Sequence, residues 1–244
     1  MVSKEFASKQ RANISDTQTF PPEYYGSDYF APPTPGTTHI SALDNNGFAA
    51  AFTSTVNLVW GSKVMSRTGI ILNNQMDDFS TPNKTNSFGI APSPNNFIKP
   101  GKRPLSSATP TIIRYNDQIQ MVVGASGGTR IITSTLLVTP ISLFTFKHIN
   151  FFFFLHQTIL NNLDFKMNIQ ASVNAGRIHH QLYPNEIQAE YNVSATLLEE
   201  LESYGHVVNR LAPGNYPAAV QVSQTFLLFF FFFVFCLSLA NIFY

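Results

Sequence analysis

The run Asp44-Asn45-Asn46-Gly47, set between two threonine-rich apolar stretches, constrains the fold more than any other feature of the chain. Asn-Gly is a strong hairpin signal, because both residues accept the left-handed backbone that a tight turn between twisted strands demands. The flanks, His39 to Leu43 and Phe48 to Val59, are therefore read as antiparallel strands. A second hairpin is expected from Thr111 to Tyr115 and Gln118 to Val123 around Asn116-Asp117. Gly124 to Gly128 then read as a turn into a helix through Leu137. Lys4 to Ala12 read as a short helix, followed by a proline- and tyrosine-rich connector to Pro35. Ser194 is placed as the cap of a helix whose Leu197, Leu198, Leu201 and Tyr204 share one face and which Gly205 ends. The pattern is α+β.

Composition narrows the function classes. A formal net charge of +1 with 12% charged residues and no basic cluster excludes a nucleic-acid partner. The one cysteine, Cys236, excludes an internal disulfide framework, a thiolate zinc site and a redox pair. No metal or other cofactor is expected. Met1 to Gln10 lack an apolar run, so no signal peptide or anchor is expected there. Three glycosylation sequons begin at Asn13, Asn83 and Asn192 and agree with an extracytoplasmic protein, although such triplets arise readily by chance.

Five short blocks carry the chemistry: Gly36-Thr37-Thr38-His39, Thr53 to Asn57, Asn73 to Asp78, Pro104 to Ser107 and Gly124 to Thr129. Each pairs small hydroxyl or glycine residues with amides or carboxylates, an inventory suited to binding a small zwitterion and attacking its acyl group. A threonine hydroxyl is a poor nucleophile without a base. One economical base is the residue's own α-amine, exposed when the chain is cut just before it. Gly36 suits such a cut, since a residue without a side chain lets the backbone bend toward the Thr37 hydroxyl. Alone, Gly-Thr is a common dipeptide and a plain turn fits it better. In the same way, Gly127 and Gly128 either present bare N–H groups to a developing negative charge or simply turn a strand into a helix.

The order and spacing of Thr-Thr-His, Asn-Asn-Gln-Met-Asp-Asp-Phe-Ser, Pro-Leu-Ser-Ser and Gly-Gly-Thr together resemble the γ-glutamyltransferase (glutathione hydrolase) family of N-terminal nucleophile hydrolases. The resemblance runs over residues 1 to 138 and resumes over 158 to 221. It implies a four-layer αββα sandwich, of which this chain supplies the small-subunit half and is incomplete by itself. It implies Thr37 as nucleophile and α-amine base, released by self-cleavage of the Gly36–Thr37 bond, with Thr55 orienting its hydroxyl. It assigns Gly127 and Gly128 to the oxyanion hole, Asn57, Gln75 and Asp78 to the donor's α-ammonium, and Ser106 and Ser107 to its α-carboxylate. Many members carry glutamate where Gln75 stands, so one negative charge is absent here. His39 is read as structural, as are His179 and His180, with no metal role.

The resemblance further implies γ-glutamyl transfer from glutathione and related donors to water, an amino acid or a dipeptide. It implies a partner, the large subunit of the same precursor, which in this family supplies an arginine for the donor's carboxylate, and any membrane attachment through an upstream anchor. Location follows as the extracellular face of the plasma membrane or the secretory pathway. Residues 1–36 correspond to the large-subunit end and processing linker, 37–138 to the catalytic core and 159–221 to the remainder of the small subunit. The alternatives are an inactive truncated product and a membrane-tethered relative without enzymatic activity.

Two phenylalanine-rich segments break the family pattern, residues 139–158 and the apolar tail 222–244, which hold most of the chain's 23 phenylalanines. The tail is long enough to span a bilayer but lacks flanking basic residues and interfacial tryptophan. Every valine codon begins GT, both departures start at a valine (Val138 and Val222), and the first closes on a phenylalanine run ending at Gln157. Retained intron sequence is the expected origin, and transcript sequencing showing uninterrupted exon there overturns it.

Overall fold

The computed structural model describes residues 3–26, 29, 36–85, 91–135, 158–163, 165–215 and 218–224. Helix α1 (Lys4–Ala12) starts at Ser3, whose hydroxyl accepts from the Phe6 amide. Strands β1 (Gly36–Leu43) and β2 (Ala49–Asn57) pair antiparallel around the Asp44 turn. There the Asp44 carboxylate accepts from the amides of Asn46 and Phe48 at 2.9 and 2.8 Å. The second hairpin, β3 (Thr111–Tyr115) and β4 (Gln118–Ser126), turns through Asn116 and Asp117, both with positive φ as a two-residue loop requires.

Strand β4 runs three residues further than the sequence implies. Gly124 does not begin a turn: it lies inside the strand because a methyl group there would sit 2.2 Å from the ring of His39 on β1. Its missing side chain makes room for a packed neighbour, which is the other use of a strand glycine. The turn proper is Gly127 to Thr129, and helix α2 follows as Arg130–Thr135.

Beyond it come α3 (Thr158–Leu163), α4 (Ile169–Asn174), β5 (Ile178–His179), β6 (Ile187–Ala189), α5 (Ala195–Ser203), β7 (Val208–Arg210) and β8 (Ala219–Gln224). Ser194 stands at the N-cap of α5, but its side chain makes no capping bond; its carbonyl accepts from Leu198 instead. Strand β8 carries Val222 to Gln224 past the boundary at which the tail is read to begin, pairing Val222 with Val123. Residues 136–157, which hold nearly all of the phenylalanine-rich insertion, and 225–244 lie outside the described residues. No helix among the described residues is long and apolar enough to cross a membrane.

Three layers result. The β1-β2 sheet lies across the sheet ordered β3-β4-β8, and α2 and α4 cover the far side of that sheet with α3 packed beside them. Strand β4 is therefore buried on both faces. Met121, Val123 and Ala125 point toward the helices with Ile131, Ile159 and Val220, while Gly124 faces His39. A second core, Ile178, Ile187, Ala189, Leu198 and Leu201, joins the sheet β5-β6-β7 to α5. Each fully buried Val, Ile, Leu or Met side chain among them contributes roughly 1.5–3 kcal/mol. On the outer face of β1-β2, the cross-strand pair Ile40 and Phe52 is 53% and 64% exposed. A fourth layer would cover that face, so the sandwich is α+β and incomplete among the described residues.

Candidate active site

The pairing of β1 with β2 slips at its open end, where Gly36 lies opposite Asn57 and Thr37 opposite Thr55, leaving Val56 as the extra residue. Such a bulge bends the chain and re-aims side chains. Asn57 takes φ +74°, a left-handed conformation that asparagine tolerates better than most residues. Gly36 is required: an added methyl group would meet the Leu58 carbonyl oxygen at 2.3 Å.

The bulge gathers a short chain of hydroxyls. Thr37 Oγ1 donates to Thr55 Oγ1 at 3.2 Å, and Thr55 Oγ1 donates to the Gly36 carbonyl oxygen at 2.8 Å. The Asn57 amide also donates to Thr55 Oγ1, at 2.8 Å. Thr55 is thus more than a residue with β propensity, since its single proton is committed to the carbonyl that precedes Thr37.

His39 stands two residues along on the same inward face, with 1% of its surface exposed. Its Nδ1 is 2.7 Å from the Thr53 hydroxyl and its Nε2 is 3.0 Å from that of Ser41. Burial holds its pKa below the ordinary value. With both ring nitrogens occupied, it acts as a neutral strut between the sheets. His179 is fixed in the same way, between Thr133 Oγ1 at 2.8 Å and Gln181 Oε1 at 2.9 Å. Among the described residues, no three His, Cys, Asp or Glu side chains form a group that would hold a metal.

Asn57 leads to the next block. Its Nδ2 donates to the Asn74 carbonyl at 3.0 Å, and the Asn74 side chain accepts from the Leu58 amide and donates to Asp77. Gln75 to Asp78 follow as a 3-10 turn in which the side-chain Nε2 of Gln75 donates to Asp78 Oδ2. Asp78 is 3% exposed, and burial followed by the charge of Asp77 raises its pKa from 3.8 to about 6. Asn57 Oδ1 and Asp78 Oδ1 are both buried with no partner among the described residues. A buried acceptor without a donor costs about 1–3 kcal/mol. Two of them in linked residues mark a place for a donor-rich group.

Ser106 and Ser107 stand further out. Ser106 is exposed and its hydroxyl accepts from the Ala108 amide at 3.2 Å, while Ser107 is half-buried. They join the Asp78 block through Asn96, whose Oδ1 accepts from the Leu105 amide. Gly127 and Gly128, with φ +130° and +64°, form the turn leaving β4, the strand that lies against β1 and β2. Their carbonyls accept from the Arg130 and Ile131 amides. Arg130 is half-buried and gives Nε and Nη2 to Gln188 Oε1 at 2.8 and 2.6 Å, tying this turn to β6. The roles of Asn74, Asn96 and Arg130 escape a reading of motifs, because each acts through its partners.

Layered sheets with a threonine at the bulged start of an inner strand define the class of N-terminal nucleophile hydrolases. Within that class the chain belongs to the gamma-glutamyltranspeptidase family, whose pattern matches residues 1–148 and 151–227. It is 41% identical over 218 residues to glutathione hydrolase proenzyme 1 of Schizosaccharomyces pombe, covering 89% of this chain and 31% of that one. It is 43% identical over 218 residues to the glutathione hydrolase proenzyme of Arthroderma benhamiae, covering 88% and 34%. The chain therefore spans about a third of the length of these relatives. A crystal structure of an acivicin-inhibited gamma-glutamyltranspeptidase superposes with a TM-score of 0.62 at 34% identity, covering 77% of this chain and 89% of that one.

Proposed function

We propose that this chain is the catalytic portion of a γ-glutamyltransferase that cleaves the γ-glutamyl amide of glutathione and related donors. The observation that carries the reading is the run of hydrogen bonds from Thr37 through Thr55 to the Gly36 carbonyl. In this reading Thr37 is the nucleophile, Thr55 the proton relay and the Gly36 carbonyl the electrophile, in that order along the run. In self-cleavage, Thr37 Oγ1 attacks the Gly36 carbonyl carbon. Its proton passes to Thr55 Oγ1 while the Thr55 proton moves to the developing oxyanion. The C–N bond breaks as the proton on that oxygen passes to the departing nitrogen, leaving an ester on the Thr37 oxygen and a free α-amine. Water then hydrolyses the ester to the Gly36 carboxylate.

In turnover, the α-amine takes the hydroxyl proton as Thr37 attacks the donor's γ-carbonyl, and Gly127 and Gly128 receive the negative oxygen. Losing one such donor typically costs about 3 kcal/mol of transition-state stabilisation. The leaving amine recovers its proton from the α-ammonium, and water or an amino-acid or dipeptide amine then takes the acyl group. Asn57 Oδ1 and Asp78 Oδ1, both buried and without a partner among the described residues, suit an α-ammonium that brings three N–H groups. Ser106 and Ser107 suit the α-carboxylate. The division into a linker (1–36) and catalytic segments (37–138 and 159–221) belongs to this reading. So do a partner half from the same precursor, lying where Ile40 and Phe52 are uncovered, and an extracytoplasmic site of action favoured by the three sequons.

N-terminal sequencing and intact mass of the protein expressed from its own transcript test the reading. A fragment beginning Thr37-Thr38-His39 that releases product from a γ-glutamyl anilide supports it. A chain that stays uncut and silent refutes it and favours an inactive product.

A further inference from the structure

Asn96 ends the 3-10 turn Pro94–Asn96 and is only 7% exposed. Nothing in the reaction above uses it, yet both ends of its amide are fully committed. Nδ2 donates to the Asp78 carbonyl oxygen at 2.7 Å and to Ser80 Oγ at 3.2 Å. Oδ1 accepts from the Leu105 amide at 2.9 Å. Its backbone carbonyl accepts from the Ser80 amide, and Ser80 bridges to Phe97. One buried side chain therefore joins the backbone of Asp78 to the residue immediately before Ser106.

We infer that Asn96 is a positioning residue for substrate specificity, which sets the distance between the ammonium-receiving and carboxylate-receiving groups and so selects donors that carry both charges on one carbon. The inference rests on the site reading above. The physical case is geometric. The α-ammonium and α-carboxylate of an amino acid are separated by a fixed two-bond span, so two receptors gain from binding both only if their separation is equally fixed. The described residues between them, 79–85 and 91–105, are mostly irregular and spend few residues in ladder pairing. A short amide with one donor end and one acceptor end is a rigid spacer, and burial strengthens both of its bonds. Neither aspartate nor alanine can replace it: aspartate loses the donor facing the Asp78 carbonyl, and alanine loses both contacts.

The test uses the self-cleaved, active protein with three donors that share one leaving group: a γ-glutamyl anilide, its 4-aminobutyryl analogue lacking the α-carboxylate, and its glutaryl analogue lacking the α-ammonium. In Asn96→Ala and Asn96→Asp, KM for the γ-glutamyl donor rises about tenfold with kcat nearly unchanged. The two single-headed donors, which engage one receptor at a time, change less than about twofold. Cleavage before Thr37 proceeds normally. An equal fall for all three donors shows a merely structural role and overturns the inference. A wild-type protein that turns over none of them refutes the function proposed above and not this coupling. In that event, amide exchange at Leu105 decides: protection lost in Asn96→Ala supports the clamp, and unchanged protection overturns it.

Discussion

Burying the Asp78 carboxylate carries a measurable free-energy cost. Burial, with the charge of Asp77, lifts its pKa from 3.8 to about 6. Each tenfold in acidity is worth about 1.4 kcal/mol, so the ionised carboxylate of the donor-free protein stands about 3 kcal/mol above its unfolded reference. The sign follows from linkage. With the folded pKa raised, the stabilising contribution is fully present below pH 3.8 and is lost as pH rises through about 6. Asp78→Asn removes that titration and keeps an oxygen and an amide at the site. Urea unfolding of donor-free protein should show variant and wild type nearly equal near pH 4, with the variant more stable by about 3 kcal/mol at pH 8. The same variant should lose kcat/KM for γ-glutamyl donors by on the order of a hundredfold, because the ammonium loses its counter-charge. Wild-type kcat/KM should climb through an acid limb near pH 6 that the variant lacks. A stability difference that does not change with pH, or a wild type that grows more stable relative to the variant as pH rises through 6, refutes the reasoning.

Thr55→Ala should slow self-cleavage before Thr37 by on the order of tenfold to a hundredfold, while Thr55→Ser stays within a few-fold, as read from the mass of the products over time. Gly124→Ala should lower stability by about 1–3 kcal/mol, because the added methyl group meets the His39 ring, and thermal unfolding measures it. The Arg177–Glu190 pair is closed at 2.7 Å and nearly dry, with side chains 11% and 4% exposed. Arg177→Ala should cost about 3–5 kcal/mol by stranding Glu190, and the double variant Arg177→Met, Glu190→Leu should recover most of that in denaturant titrations.

Where local chemistry dictates shape, the sequence is a sufficient guide. Asn116 and Asp117 take positive φ because a two-residue hairpin needs it, and that need is written in the dipeptide itself. The boundaries of α1 follow likewise from its serine cap. Gly124 misleads, since a glycine reads as a turn until the His39 ring across the sheet interface is known. Strands β5, β6 and β7, two or three residues long, are too short for any periodicity to announce them. In the site, the blocks around Thr37 and Asp78 stand out by composition, and the resemblance gives them roles. Asn74 and Asn96 do not stand out: an asparagine that clamps two segments looks, in sequence, like one that merely turns the chain. Only the partners at both ends of the amide distinguish the two.

The bare outer surface of β1-β2 turns a structural fact into a thermodynamic one. With Ile40 and Phe52 facing water, folding of this hairpin is linked to whatever molecule comes to lie over it. Its melting temperature should then rise with the concentration of a partner that binds this face, and dilution of such a complex should lower it. Thr37, the nucleophile of the proposed reaction, sits on this same hairpin, so dilution and loss of activity should go together.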